Sequence, residues 1–162
     1  MKNKAVRTEE DIERTFDTYA DTIYSISLMM LQNKSDAEDV VQDVFVKYMR
    51  YEKTFADDEH KKAWLLRVAN NLCIDHIRYN GRHREESIDY ISDLSIKEES
   101  TGILEALGKL PERYRIILIL HYVHEYKVRE ISEILKISES ASKMRLKKGR
   151  ELLEKLYRRE FL

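Results

Sequence analysis

Apolar side chains return every three or four positions along most of the chain, and this spacing, which lines one face of a helix, limits the fold more than any other feature. Ile12, Phe16, Tyr19, Ala20, Ile23, Met30 and Leu31 trace a first helix over residues 9–32. Ser35, followed three residues later by Glu38, has the form of a capping box. Beyond it Ala37, Val40, Val41, Val44, Phe45, Tyr48 and Met49 point inward along a second helix that ends near Phe55. The polar stretch 56–59 reads as a loop in which Asp57 or Asp58 caps the next helix, and Trp64, Leu65, Val68, Ala69, Leu72 and Ile77 carry that third helix to about Gly81. Chain breakers are scarce: four glycines and one proline in 162 residues. An all-α fold is the expectation.

Residues 85–102 lack a convincing period and are rich in Ser, Asp and Glu, so they read as an acidic linker between two small helical domains, 1–84 and 103–162. Helices are expected in the second domain at about 103–109, 112–124, 128–135 and 138–158. Pro111 stands at a helix start, where its missing amide costs nothing.

The net charge of −1 hides a strong segregation. Residues 60–84 hold Lys61, Lys62, Arg67, Arg78, Arg82 and Arg84 against Asp75, a net of +5. Residues 85–101 carry −5, and residues 136–159 return to +6. Two basic segments flanking an acidic one point to two contacts with polyanions and a linker that does not compete for them; solvated helix faces are the plainer alternative. The single cysteine, Cys73, excludes an intrachain disulfide and a cysteine-built zinc site, and no cofactor or metal is expected. The longest uncharged apolar run, at 116–120, is too short to span a bilayer, and no signal peptide precedes the charged start. A soluble, cytoplasmic protein is therefore expected.

Residues 128–150 have the proportions of a helix-turn-helix. Ile131, Ile134 and Leu135 pack its first helix, Ile137 sits in the turn, and Leu146 and Leu153 anchor the second. Lys143, Met144, Lys147 and Lys148 are left outward, where a recognition helix meets bases and phosphates in the major groove. An ordinary helical hairpin with a basic outer face is the alternative. Two positions depart from such motifs: Lys136 stands where the turn favours glycine, and Ser142 where the second helix usually buries an apolar side chain. On the second helix Asp36, Glu38, Asp39, Gln42 and Asp43 crowd the first turn and a half, which suits either capping against the helix dipole or a binding face. Near the third helix, Phe55, Trp64, Asn71 and His76 join basic residues in the combination that holds single-stranded DNA, although Trp64 by itself is better explained by core packing than by stacking on a base.

The runs DAEDVVQDVFVKY at 36–48, WLLRVANNLCIDHIR at 64–78, LPERYRIILILHYV at 110–123 and the helix-turn-helix, in that order, resemble an extracytoplasmic-function σ factor of the σ70 family of bacterial RNA polymerase. The resemblance implies an alternative σ factor without catalysis of its own, which binds core polymerase, recognises the −10 and −35 promoter elements and promotes DNA opening. It implies that Asp39, Gln42 and Asp43 hold the β′ clamp helices, in an assembly that also includes the β subunit. It places Phe55, Val68 and Asn71 around the pocket for a flipped −10 base, with Lys62, Arg67 and Arg78 on backbone phosphates and the loop 56–60 tracking −10 preference. Lys143, Met144, Lys147 and Lys148 fall where the family reads the −35 element, Met144 replacing a commonly polar residue. Promoter DNA and core polymerase are the implied partners, an anti-σ protein is a further one, and the linker is implied to run through polymerase channels that later hold RNA.

Two rival readings use less of the chain. An enzyme would have Cys73 with His76, or His121 with His124, as its best material, but neither pair has a clear third ligand or a carboxylate base. A stand-alone helix-turn-helix regulator leaves residues 36–48 and 64–78 without a purpose.

Overall fold

The computed structural model describes residues 7–80 and 101–162, which form seven α-helices and one π-helical turn, with no strand among the described residues. The linker at 85–102 lies outside the described residues apart from its last two positions. The first three helices are α1 (Glu9–Leu31), α2 (Lys34–Arg50) and α3 (Asp58–Asn80). The second group is α4 (Thr101–Lys109), α5 (Glu112–Leu118), the π-helical turn (Ile119–Val123), α6 (Val128–Leu135) and α7 (Glu139–Phe161).

Local chemistry sets the boundaries. The Thr8 hydroxyl accepts from the Asp11 amide at 3.1 Å to start α1, and Gln32 ends it in the left-handed region at φ 54°. Asn33 then caps α2 by accepting from the Asp36 amide at 2.9 Å. The expected Ser35–Glu38 box therefore sits inside the first turn, displaced because Asn33 already fills the cap two residues earlier. Asp57 caps α3 through the His60 amide at 2.9 Å, as one of the two expected aspartates. α2 stops at Arg50 rather than near Phe55, since Tyr51 leaves the helix with ψ 114° and its ring packs on Trp64 with centroids 4.5 Å apart. The helix expected to reach His124 loosens after Leu118: the His124 amide reaches back five residues to the Ile119 carbonyl at 3.2 Å.

Ile23, Ile26, Met30, Val40, Val44, Tyr48, Leu65, Leu66, Ala69 and Cys73 pack α1, α2 and α3 together, each nearly or wholly removed from water. At about 1.5–3 kcal/mol per large buried apolar side chain, this stripe is the main stabilising term of the first group. Met49 and Phe16, both expected inward, are instead 45% and 46% exposed, because each lies at the edge of its helix stripe. The second group buries Leu104, Leu107, Leu110, Ile116 to Leu120, Ile131, Ile134 and Leu146.

The two groups pack against each other, and their apolar residues join one core. Arg115 is central to the joint. Only 4% exposed, its guanidinium donates to the carbonyls of Met30 in α1, Gly108 in α4 and Leu110 just beyond it, the last two at 2.7 and 2.8 Å. These carbonyls belong to ends of helices, where no intrahelical amide is left to satisfy them. Gln32 adds a second tie, donating from its amide to the Leu104 carbonyl at 2.9 Å. Gly108 makes that approach possible, for a Cβ there would lie 2.2 Å from the Gln32 amide nitrogen.

Candidate functional site

On α2 the buried face of Val40 and Val44 forces Asp39, Gln42 and Asp43 outward, so the three side chains expected to act together are exposed side by side. Asp36, in the same acidic cluster, is used differently: it accepts from the Asn80 amide at 3.2 Å and lies 4.0 Å from His76, tying α2 to the end of α3. Val46 and Met49 continue the exposed face one and two turns beyond Asp43 and form an apolar extension that inward patterning of Met49 conceals.

On α3, Val68 is half-buried while Asn71 and Arg78 are exposed, and the i, i+3 spacing places Val68 and Asn71 next to each other. Phe55 lies at the foot of this face, half-buried, stacked on Tyr51 with centroids 5.3 Å apart and tilted against Trp64 at 5.7 Å. The indole is half-buried within that aromatic cluster, which also holds Tyr48, so its first role is packing. Arg7 lies over the Tyr48 ring at 4.2 Å and over Phe55 at 5.1 Å, closing the cluster on its far side. Tyr48 is buried, and its hydroxyl donates to Asp11, whose carboxyl is held below its usual value: burial opposes this, while bonds from Tyr48 and Lys61 overcome it. At the start of α3, His60 is exposed beside Asp57, with Nδ1 2.6 Å from the carboxylate, and that bond first and the charge second raise its pKa.

The remaining two α3 cations are engaged by the second group. Arg67 donates from Nε to the Ile134 carbonyl at 3.0 Å and from Nη2 to the Glu133 carbonyl at 2.6 Å. Lys62 pairs with Glu130 at 3.2 Å and Glu59 at 3.4 Å and lies 4.8 Å above the Tyr126 ring. Sequence patterning does not disclose Glu130 or these carbonyls as partners, since they stand 66 to 68 residues away.

α6 and α7 form the helix-turn-helix. Lys136, at the glycine-favouring position, adopts φ 52° and ψ 48°, so the left-handed turn is made by a lysine. Ser142, at the usually apolar position, is wholly buried; its hydroxyl lies 2.8 Å from that of Ser132 on α6 and donates to the Ser138 carbonyl at 3.0 Å. A hydrogen bond thus replaces an apolar contact between the helices. Lys143, Met144, Lys147 and Lys148 are exposed together on α7, with Met144 72% exposed.

The histidine and cysteine pairs have structural employment. Cys73 is fully buried and its thiol is pushed up to about 12 by that burial, while His121 Nδ1 meets the Tyr126 carbonyl at 3.0 Å and His124 lies 3.4 Å from Ser25 on α1. Among the described residues no group of three or more His, Cys, Asp or Glu is placed to hold a metal ion, and no helix is long and apolar enough to cross a membrane.

Comparison with known proteins assigns the two groups. Residues 15–83 match the family model for Sigma-70 region 2, and residues 100–153 match that for Sigma-70, region 4. The chain is 31% identical to the ECF RNA polymerase sigma factor SigW of Bacillus subtilis, over 88% of this chain and 86% of the relative. It is 32% identical to SigM of the same organism, also an ECF RNA polymerase sigma factor, over 91% and 96%. Among solved structures, CnrH in complex with the cytosolic domain of CnrY superposes with a TM-score of 0.74 at 22% identity, covering 94% of this chain and 91% of that one. RpoE of Bartonella quintana, in complex with the anti-sigma factor NepR, gives 0.70 at 19% identity, covering 93% and 99%. The fold is thus shared with both structures, and the sequence matches settle the family: the chain belongs to the ECF σ factors of the σ70 family, alternative σ factors that recognise promoters for RNA polymerase.

Proposed function

We propose that this σ factor divides its work among three faces. Asp39, Gln42 and Asp43 dock on the basic side of the β′ clamp helices of core polymerase, whose β subunit completes the holoenzyme. Phe55, Val68 and Asn71 receive an unpaired base of the −10 element, while Lys62, Arg67 and Arg78 hold the phosphates around it. Lys143, Met144, Lys147 and Lys148 enter the major groove at the −35 element. The observation that carries this division is the clean sorting on α2: valines fully buried on one side, two carboxylates and an amide exposed on the other.

Residues 1–84, 85–102 and 103–162 act as the melting, linker and −35 modules, and the net −5 of the linker suits channels that otherwise hold RNA. Unstacking a promoter base costs a few kcal/mol, and capture of the exposed base on α3 offsets part of it. The chain supplies binding energy, the polymerase supplies chemistry, and both work in the cytoplasm. An anti-σ partner, of the kind seated on RpoE of Bartonella quintana, fits the same scheme. Run-off transcription with purified core polymerase tests the proposal. Transcripts should require this chain together with core enzyme, and tight binding of duplex promoter by the chain alone, without transcription, would favour a stand-alone regulator.

A further inference from the structure

We propose that Arg7 is a positioning residue for the −10 contact: from just ahead of α1 its guanidinium braces the loop between α2 and α3 and fixes Phe55 in the orientation that receives an unpaired base. The inference rests on the assignment of Phe55 to base capture made above. Residues 51–57 join α2 to α3 without a helix of their own, so the order of the stretch that carries Phe55 comes from contacts with neighbouring elements. Arg7 supplies such contacts to backbone and ring together. It donates from Nε to the Tyr48 carbonyl at 3.0 Å, in the last turn of α2, and from Nη2 to the Lys53 carbonyl at 2.9 Å, two residues before Phe55. The same guanidinium lies over the Tyr48 ring at 4.2 Å and over the Phe55 ring at 5.1 Å. A lysine could place its charge on a ring, but only the planar fork of arginine spans two carbonyls while it does so.

Arg7 is itself held. Its side chain is 12% exposed, and Asp11, one turn into α1, lies 3.9 Å from Nη1. Asp11 also pairs with Lys61 at 3.3 Å and accepts from the Tyr48 hydroxyl, so the far end of the loop, at the start of α3, is tied to the same carboxylate. Tyr48 is wholly buried, which gives the brace a fixed base. Two side chains at the start of α1 thus grip both ends of the segment that precedes and includes the loop 56–60. A ring fixed in this way loses less freedom when a base arrives, and it adapts less readily to a wrong one. Asp39, Gln42 and Asp43 belong to none of these bonds, so binding to core polymerase serves as the control.

The test uses holoenzyme reconstituted from core polymerase and the full chain, with single-stranded DNA as the probe. The strand that the unmutated chain enriches from a random pool is compared with its single-base substitutions, and the ratio of their affinities at the captured base is the readout. Arg7→Gln should lower that ratio by about fivefold, with core affinity and helical dichroism unchanged. Arg7→Lys, which keeps a cation on the rings but reaches one carbonyl at most, should fall between. Asp11→Asn still accepts from the Tyr48 hydroxyl but loses the charge that holds Arg7 and Lys61, and should lower the ratio by a second route. A merely structural loss reduces the competent fraction for every strand alike and leaves the ratio unmoved; that result, or no change at all, overturns the proposal. Because Arg7 acts through Phe55, Arg7→Gln should add nothing to Phe55→Ala, and additive losses overturn it equally. Phe55→Ala alone separates the two ideas. If it lowers the ratio while the Arg7 variants do not, the brace fails by itself; if it leaves the ratio unmoved, or the pool enriches no strand, base capture by Phe55 fails and the role of Arg7 with it.

Discussion

Replacing Arg115 with Met should cost about 3–5 kcal/mol, the range expected when one member of a buried charged network is removed. Methionine retains most of the apolar stem, so the loss isolates the guanidinium. Three carbonyls lose their donor at once, those of Met30, Gly108 and Leu110. Each buried acceptor left unpaired costs about 1–3 kcal/mol, and partial relaxation toward water brings the sum down to the stated range. Against a typical total of about 5–15 kcal/mol, such a loss removes a large share of the stability. Urea unfolding followed by far-ultraviolet circular dichroism measures it, with Arg115→Lys, which retains a charge but reaches fewer carbonyls, expected between the two. Because the carbonyls lie on both groups, the variant should also split a single transition into two. A loss below about 1 kcal/mol with one cooperative transition would refute the role given to Arg115.

Asp39→Arg combined with Asp43→Arg should abolish binding to core polymerase in a pull-down while leaving the helical dichroism unchanged, both side chains being exposed. Asn71→Ala should impair open-complex formation, followed by permanganate footprinting of unpaired thymines, more than it impairs binding to duplex promoter. Gly108→Ala should shift stability by no more than about 1 kcal/mol, because a helix-favouring residue offsets the bond from Gln32 to Leu104 that a Cβ displaces; loss of that bond should appear as faster amide exchange near Leu104. The Glu130 carboxyl is held below its ordinary value of 4.5, first by the Lys127 amide and next by Lys62, against the opposing effect of burial. A depressed pKa contributes stability that is present above 4.5 and lost as pH falls through the lowered value, so acid should weaken the start of α6 first and its pair with Lys62 second, lowering the urea midpoint, and Glu130→Gln should flatten that part of the pH dependence.

The helices and their stripes were legible because each is specified within a few residues. The apolar pattern marks the helix at 128–135 to the residue, and Asp57 is one of the two caps it offers for α3. Errors arose where distant packing intervened: α2 ends early because Tyr51 turns onto Trp64, and α5 opens into a π-helical turn. The exposed acidic and basic faces could be read from the positions left over by the apolar stripe. The engagement of Arg67 and Lys62 by α6 could not, since backbone carbonyls carry no sequence signature and Glu130 also serves its own helix start, accepting from the Lys127 amide at 2.8 Å.

Arg67 and Arg115 show why burial, rather than residue type, separates a fixed joint from an exchangeable one. Each guanidinium crosses from one helical group to the other and donates to carbonyls at helix ends. Arg115, with three acceptors and almost no exposure, has no solvent-side route by which water or an incoming phosphate can replace those acceptors one at a time. Breaking it requires the whole joint to part. Arg67 is half-buried at the rim, with two acceptors and an exposed Glu133 beside it, so its bonds can be exchanged singly at a cost met by water or by another anion. The same pair of groups is thus held by one contact that yields only as a whole and, where α3 meets α6, by another that yields bond by bond.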